Sequence, residues 1–174
     1  MSLLGETAPD FSDPLGLLAA CHGRMRDFCD LLERLPDWLD RHGLDAEAKS
    51  GVQRVLRYFD QAAPLHHKDE EQDLFPLLRD QPGGDVITSL LQQHDELEHG
   101  WRHLAPLLRR LVDDDRDPQL DAGITAFCDA YRRHIALEDA VILPLARSSL
   151  NALQLSEMGR RMAERRKAPP SGRH

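Results

Sequence analysis

Long apolar runs are missing from this 174-residue chain. A membrane-spanning helix needs about 20 consecutive apolar residues, so an integral helical membrane protein is excluded. Cysteine is scarce: Cys21, Cys29 and Cys128 are odd in number and show no CxxC spacing. That excludes a disulfide framework and a cysteine zinc site, and buried free thiols are expected instead. Positive charge is also in deficit, with 22 Lys and Arg against 30 Asp and Glu and a net charge of −8. Phosphate binding draws on clustered positive charge, so no nucleic-acid partner is expected. The basic run Arg160, Arg161, Arg165, Arg166 and Lys167 reads as a solvated tail or helix end rather than a DNA-binding arm. The N-terminal MSLLGETAPDFSDP has neither a basic nor an apolar signal region, so a cytoplasmic location and no membrane partner are the expectation.

What is present is helical periodicity, with no period-2 alternation long enough for a strand. Apolar residues recur at spacings of three and four in four segments. They are marked by Leu15, Leu18, Met25, Cys29, Leu32 and Leu39; by Val52, Val55, Phe59, Ala63 and Leu77; by Ile87, Leu90, Leu97, Trp101, Leu104, Leu108 and Leu111; and by Leu120, Ile124, Phe127, Tyr131, Val141 and Leu145. Stop and start signals separate them at Arg41-His42-Gly43, Gln81-Pro82-Gly83-Gly84 and Asp113-Asp114-Asp115. Connections this short make successive helices antiparallel. The expected fold is all-α, an up-down-up-down antiparallel four-helix bundle over residues 1–147, with helices at about 14–40, 46–79, 85–112 and 119–147. Residues 148–174 are expected to form a short C-terminal helix, capped by Ser156 and running through Arg166, then a disordered tail. Pro36, Pro64, Pro76, Pro106 and Pro144 fall inside the helical segments and predict kinks or shortened helices.

Each apolar stripe has a gap, filled by His22, by His66 with Glu70, by His94, and by His134 with Glu138. Period 3.6 sends all six inward, and His-x-x-x-Glu places its two donors one turn apart on a single helix face. A carboxylate in a bundle core is costly unless it is paired, hydrogen-bonded or bound to metal. Two such glutamates beside four histidines, with no Lys or Arg in the stripes, call for a cation. The hairpins put the six at one height: His22 and His66 are equidistant from Leu44, Glu70 and His94 from Pro82, and His94 and His134 from Asp114.

The second and fourth segments share the pattern H-x-x-x-E-[ED]-x-x-x-[FL]-P-L-[LA]-R, beginning at His66 and His134. The lone histidines of the first and third segments are 72 residues apart, close to the 68 between these motifs, so the chain reads as a duplicated helix pair. Such pseudo-symmetry suits two equivalent metals. Taken singly, each histidine fits a hydrogen-bonded core residue, and each His-x-x-x-Glu fits a surface pair; their joint occurrence favours metal. His42, His67, His99, His103 and His174 fall off the inward face and are expected in solvent, while Glu98 could be an additional ligand or a partner to one.

At His22, the HHKDEEQDLFP run, His94 and the HIALEDAVILP run, the sequence resembles the hemerythrin-like family of HHE cation-binding domains, over roughly residues 12–147. The resemblance implies two iron ions with an oxo or hydroxo bridge. Glu70 and Glu138 would span the ions, and His22, His66, His94 and His134 would be terminal ligands. Imidazole with carboxylate suits manganese and zinc as well, and iron rests on the resemblance. Oxygen-carrying hemerythrins place a further histidine where this chain has Glu98, so the set is more similar to the iron–sulfur-cluster repair and sensing branch. At about six ligands per ion, two bridging glutamates, four histidines and a single-atom bridge fill about ten of about twelve positions. The open positions imply a small diatomic ligand, oxygen or nitric oxide, that is bound or sensed. An iron-handling or redox enzyme-like role (iron–sulfur cluster repair, nitric oxide or peroxide detoxification) and a metal-free helical interaction module are the alternatives; the redox partner is unknown.

Overall fold

In the computed structural model, which describes residues 9–167, the chain is an all-α bundle of five helices without strands among those residues. α1 is Pro14–His42, α2 spans 46–78, α3 is Ile87–Val112, α4 spans 120–149 and α5 is Ala152–Lys167. The start signals act through specific atoms. The Asp13 carboxylate accepts from the Gly16 N–H (3.0 Å) ahead of Pro14, and Asp45 accepts from Ala48 (2.8 Å), each satisfying a donor that the first helical turn leaves unpaired. Between α2 and α3 the chain turns on Gly83, at φ +94°, and Gly84, where a Cβ would lie 2.2 Å from the Leu78 carbonyl oxygen. No side chain larger than hydrogen fits there. α5 is capped by Asn151 rather than Ser156: Asn151 Oδ1 accepts from the Gln154 N–H and Gln154 Oε1 accepts from the Asn151 N–H, a reciprocal capping box. The tail expected from Ala168 onward lies outside the described residues.

The helices contact one another in a closed ring, α1 with α2 and α4, α3 with α2 and α4, while α5 lies against α1 and α2. None of the five prolines shortens or ends its helix, and three of them follow a wider turn. Pro64, Pro76 and Pro144 each come just after a five-residue π-helical turn, at Tyr58–Ala62, Glu70–Leu74 and Glu138–Ile142. The residue before each proline donates five residues back, Ala63 to Tyr58, Phe75 to Glu70 and Leu143 to Glu138, so the wider turn absorbs the donor that proline lacks. The residues flanking each π turn keep right-handed helical backbone angles, and the helices continue. Pro36 and Pro106 sit within unbroken α-helix.

Each π turn adds a residue and rotates the rest of its helix. In place of Leu77, Val141 and Leu145, the fully buried positions are Leu74, Phe75 and Leu78 in α2 and Ile142, Leu143 and Ala146 in α4. The apolar core falls into two clusters. One runs from Met25, Val52 and Phe59 to Leu108, Phe127 and Tyr131; the other holds Leu18, Leu74, Phe75, Leu90, Ile142 and Met158. A polar layer separates them.

Candidate metal centre

That polar layer is made by His22 on α1, His66 and Glu70 on α2, His94 on α3, and His134 and Glu138 on α4, none more than 3% exposed. Leu18 and Met25 flank His22, Leu90 and Leu97 flank His94, and Ala63 and Leu74 flank the α2 pair. Glu70 and Glu138 are the first residues of their π turns.

The carboxylates span two pairs of imidazoles. Glu70 Oε1 lies 2.9 Å from His66 Nε2 and 3.6 Å from His22 Nε2, while its Oε2 lies 3.2 Å from His94 Nε2. Glu138 does the converse, with Oε2 3.0 Å from His22 Nε2 and Oε1 3.3 Å from His134 Nε2 and 3.7 Å from His94 Nε2. Metal bonds of about 2.1 Å at right angles set neighbouring donors about 3 Å apart, so these separations are close to the edges of a coordination polyhedron. His22, His66, Glu70 and Glu138 form one group able to hold a metal, and Glu70, His94, His134 and Glu138 form another, with donor atoms all within 4.8 Å of one another. Glu70 Oε2, both Glu138 oxygens, His94 Nε2 and His134 Nε2 are buried without a hydrogen-bond partner. Buried oxygens and nitrogens are rarely left so, and a cation would satisfy all of them at once.

The other ring nitrogens are held from outside. His22 Nδ1–H donates to Asp139 Oδ1 at 2.7 Å, His94 Nδ1–H to Glu71 Oε1 at 2.7 Å, and His134 Nδ1–H to Gln93 Oε1 at 3.0 Å. These bonds keep the hydrogen on Nδ1 and turn the Nε2 lone pair inward. Asp139 is itself paired with Arg26. The second acid of each E-[ED] pair thus orients the lone histidine of another helix: Glu71 beside Glu70 holds His94, and Asp139 beside Glu138 holds His22. The shared sequence pattern contains both acids, but nothing in it says which histidine each one faces.

Burial opposes charge on these imidazoles, and the carboxylates outweigh it. The neighbouring carboxylates of Glu138 and Glu70 raise His22 to about 9 and His94 to about 11, and Glu70 lifts His66 well above its ordinary value. Against its own burial, Glu70 is held well below the carboxylate range, chiefly by His66. His134 is pushed down by burial, with His94 adding to the effect. Protons on the imidazoles therefore balance carboxylate charge where a metal cation could replace them.

The structure settles the place of Glu98, moves His67 and adds two acids to the core. Glu98 faces outward beside Arg102, 68% exposed, and joins no part of the cluster. His67 is half-buried rather than in solvent, stacked on His94 with ring centroids 4.0 Å apart. Burial, then the neighbouring His94, pushes its pKa well down. Asp69 and Asp73 are buried as well, so the core holds four carboxylates rather than two. The basic run that reads as a solvated end pairs with them, Arg165 with both, Arg166 with Asp69 and Arg161 with Asp73. Cys29 and Cys128 are buried free thiols and Cys21 is half-buried, while His42, His99 and His103 are exposed. His174 lies outside the described residues.

Among the described residues no helix is long and apolar enough to cross a membrane. The sequence model of the hemerythrin HHE cation binding domain matches residues 13–146. An uncharacterized protein of Haemophilus influenzae is 39% identical over 158 residues, covering 90% of this chain and 91% of that one.

Proposed function

The chain belongs to the hemerythrin HHE cation-binding family, and on that premise we propose that it holds two iron ions and binds or senses a small diatomic ligand, oxygen or nitric oxide. Glu70 and Glu138 bridge, His22 and His66 serve one ion, and His94 and His134 serve the other. The observation that carries this reading is the crossed pattern of the carboxylates, each presenting one oxygen to each histidine pair at 2.9–3.7 Å.

An iron pair supplies Lewis acidity and one-electron chemistry toward a small ligand. The chain's own groups set the conditions. Asp139, Glu71 and Gln93 fix the orientation of three imidazoles, and the two apolar clusters exclude bulk water from either side of the layer. Entry is provided by a cleft of about 570 Å³ whose wall includes His67, Glu71, His94, Trp101 and Tyr131. It is large enough for a diatomic molecule.

Mixing reduced, iron-loaded protein with nitric oxide or oxygen in a single turnover tests the proposal. A stable optical change at one ligand per iron pair is expected. Rapid release of product would favour an enzyme-like role in detoxification or iron handling, and no spectral change would contradict ligand binding.

A further inference from the structure

Among the described residues, His67 is the one imidazole beside the cluster to which the six-ligand scheme gives no work. Its Nε2 is buried and has no hydrogen-bond partner. The ring is stacked on His94 at 4.0 Å with 17° between planes, and it meets His134 edge-on at 5.8 Å. One donor atom from each of His67, His94 and His134 lies within 4.8 Å of the other two. No carboxylate or backbone group explains a third imidazole nitrogen at this place.

Helix geometry explains how adjacent residues serve opposite halves of the layer. Consecutive side chains on α2 diverge by about 100°. His66 therefore turns toward His22, 3.2 Å between Nε2 atoms, and His67 turns toward α3 and α4. Glu98, one turn after His94, points to solvent and offers that half nothing.

We propose that His67 is a fifth imidazole ligand, binding the metal held by His94 and His134. The inference rests on the dinuclear proposal and makes the two metal positions unequal. One ion would receive three ring nitrogens and the other two. Two imidazoles on adjacent positions of one ion cannot stay face to face. Ligation therefore requires His67 to rotate about its side-chain torsions and leave the stack on His94.

The test uses the full chain loaded with iron-57, comparing wild type, His67→Phe, His67→Ala and His103→Ala. Phenylalanine keeps a ring in the stack and removes the nitrogen; alanine removes the nitrogen without that ring. Chelator competition reads the affinity of each metal equivalent, and Mössbauer spectra read the two iron environments separately. In both His67 variants the second equivalent is expected to weaken by at least about tenfold, with one of two quadrupole doublets changed. His103→Ala is expected to match wild type in both readouts. Two doublets and two affinities unchanged in both His67 variants would overturn the inference while leaving the dinuclear reading intact. A wild-type chain that binds no iron would instead remove the reading on which it rests.

Discussion

Asp139 and Glu71 sit at the edge of the cluster, yet each controls the ring of a histidine inside it. At 2.7 Å from Nδ1 of His22 and His94, they fix the tautomer that leaves Nε2 free. Partners of this kind are worth about 10–100-fold in metal affinity. Asp139→Ala is therefore expected to weaken metal binding by about that factor, read by chelator competition, while Glu164→Ala on the exposed face of α5 leaves it unchanged. Equal affinities in the two variants would mean that His22 needs no external hold. The residue scale also shows where the sequence is a good guide. The gaps in four apolar stripes indicate which polar side chains share a buried layer, because period 3.6 decides burial in any regular helix. They do not indicate His67, which the stripe places one step off the inward face; that side chain reaches the layer by lying flat against His94.

At the scale of the element, the helices of the bundle are legible in the caps and the periodicity, and the π turns are not. Proline in a helical stripe predicts a kink or a shortened helix. What forms is a wider turn, with Glu70 and Glu138 each opening a turn that ends two residues before a proline. The signal lay in the glutamate-to-proline spacing common to both motifs, and reading it requires knowing the hydrogen-bond pattern. α5 holds a similar lesson. Its arginines look solvated in composition, but Arg165 reaches the buried Asp69 and Asp73, next to the π turn that carries Glu70. Breaking a buried ion pair from one side costs about 3–5 kcal/mol, and here Arg166 and Arg161 still face the aspartates. Arg165→Ala is expected to cost about 3 kcal/mol in denaturant unfolding. A loss no larger than that of an exposed pair, about 0.5 kcal/mol, would show that α5 is not clamped.

For the molecule as a whole, the polar layer divides one core into two and ties stability to what occupies the layer. In chelator-stripped protein, His22 and His94 hold protons up to about 9 and about 11, against an ordinary 6.5. A pKa raised by folding contributes stability that is complete below the ordinary value and is lost as pH rises through the folded value. The melting temperature of the stripped protein is therefore expected to fall as pH goes from 6.5 to 9, and further toward 11. Metal-loaded protein, whose ligands have already given up their protons, is expected to hold its melting temperature over the same range to about pH 9. Parallel curves would contradict this. Metal content after expression in iron-supplemented medium decides whether the six buried side chains of this HHE cation-binding chain hold two metal ions. About two irons per chain are expected in wild type, with most of the metal lost in His66→Ala and Glu138→Ala and none lost in His99→Ala. Wild-type protein without iron, manganese or zinc, or equal metal loss in all three variants, would rule out the dinuclear centre.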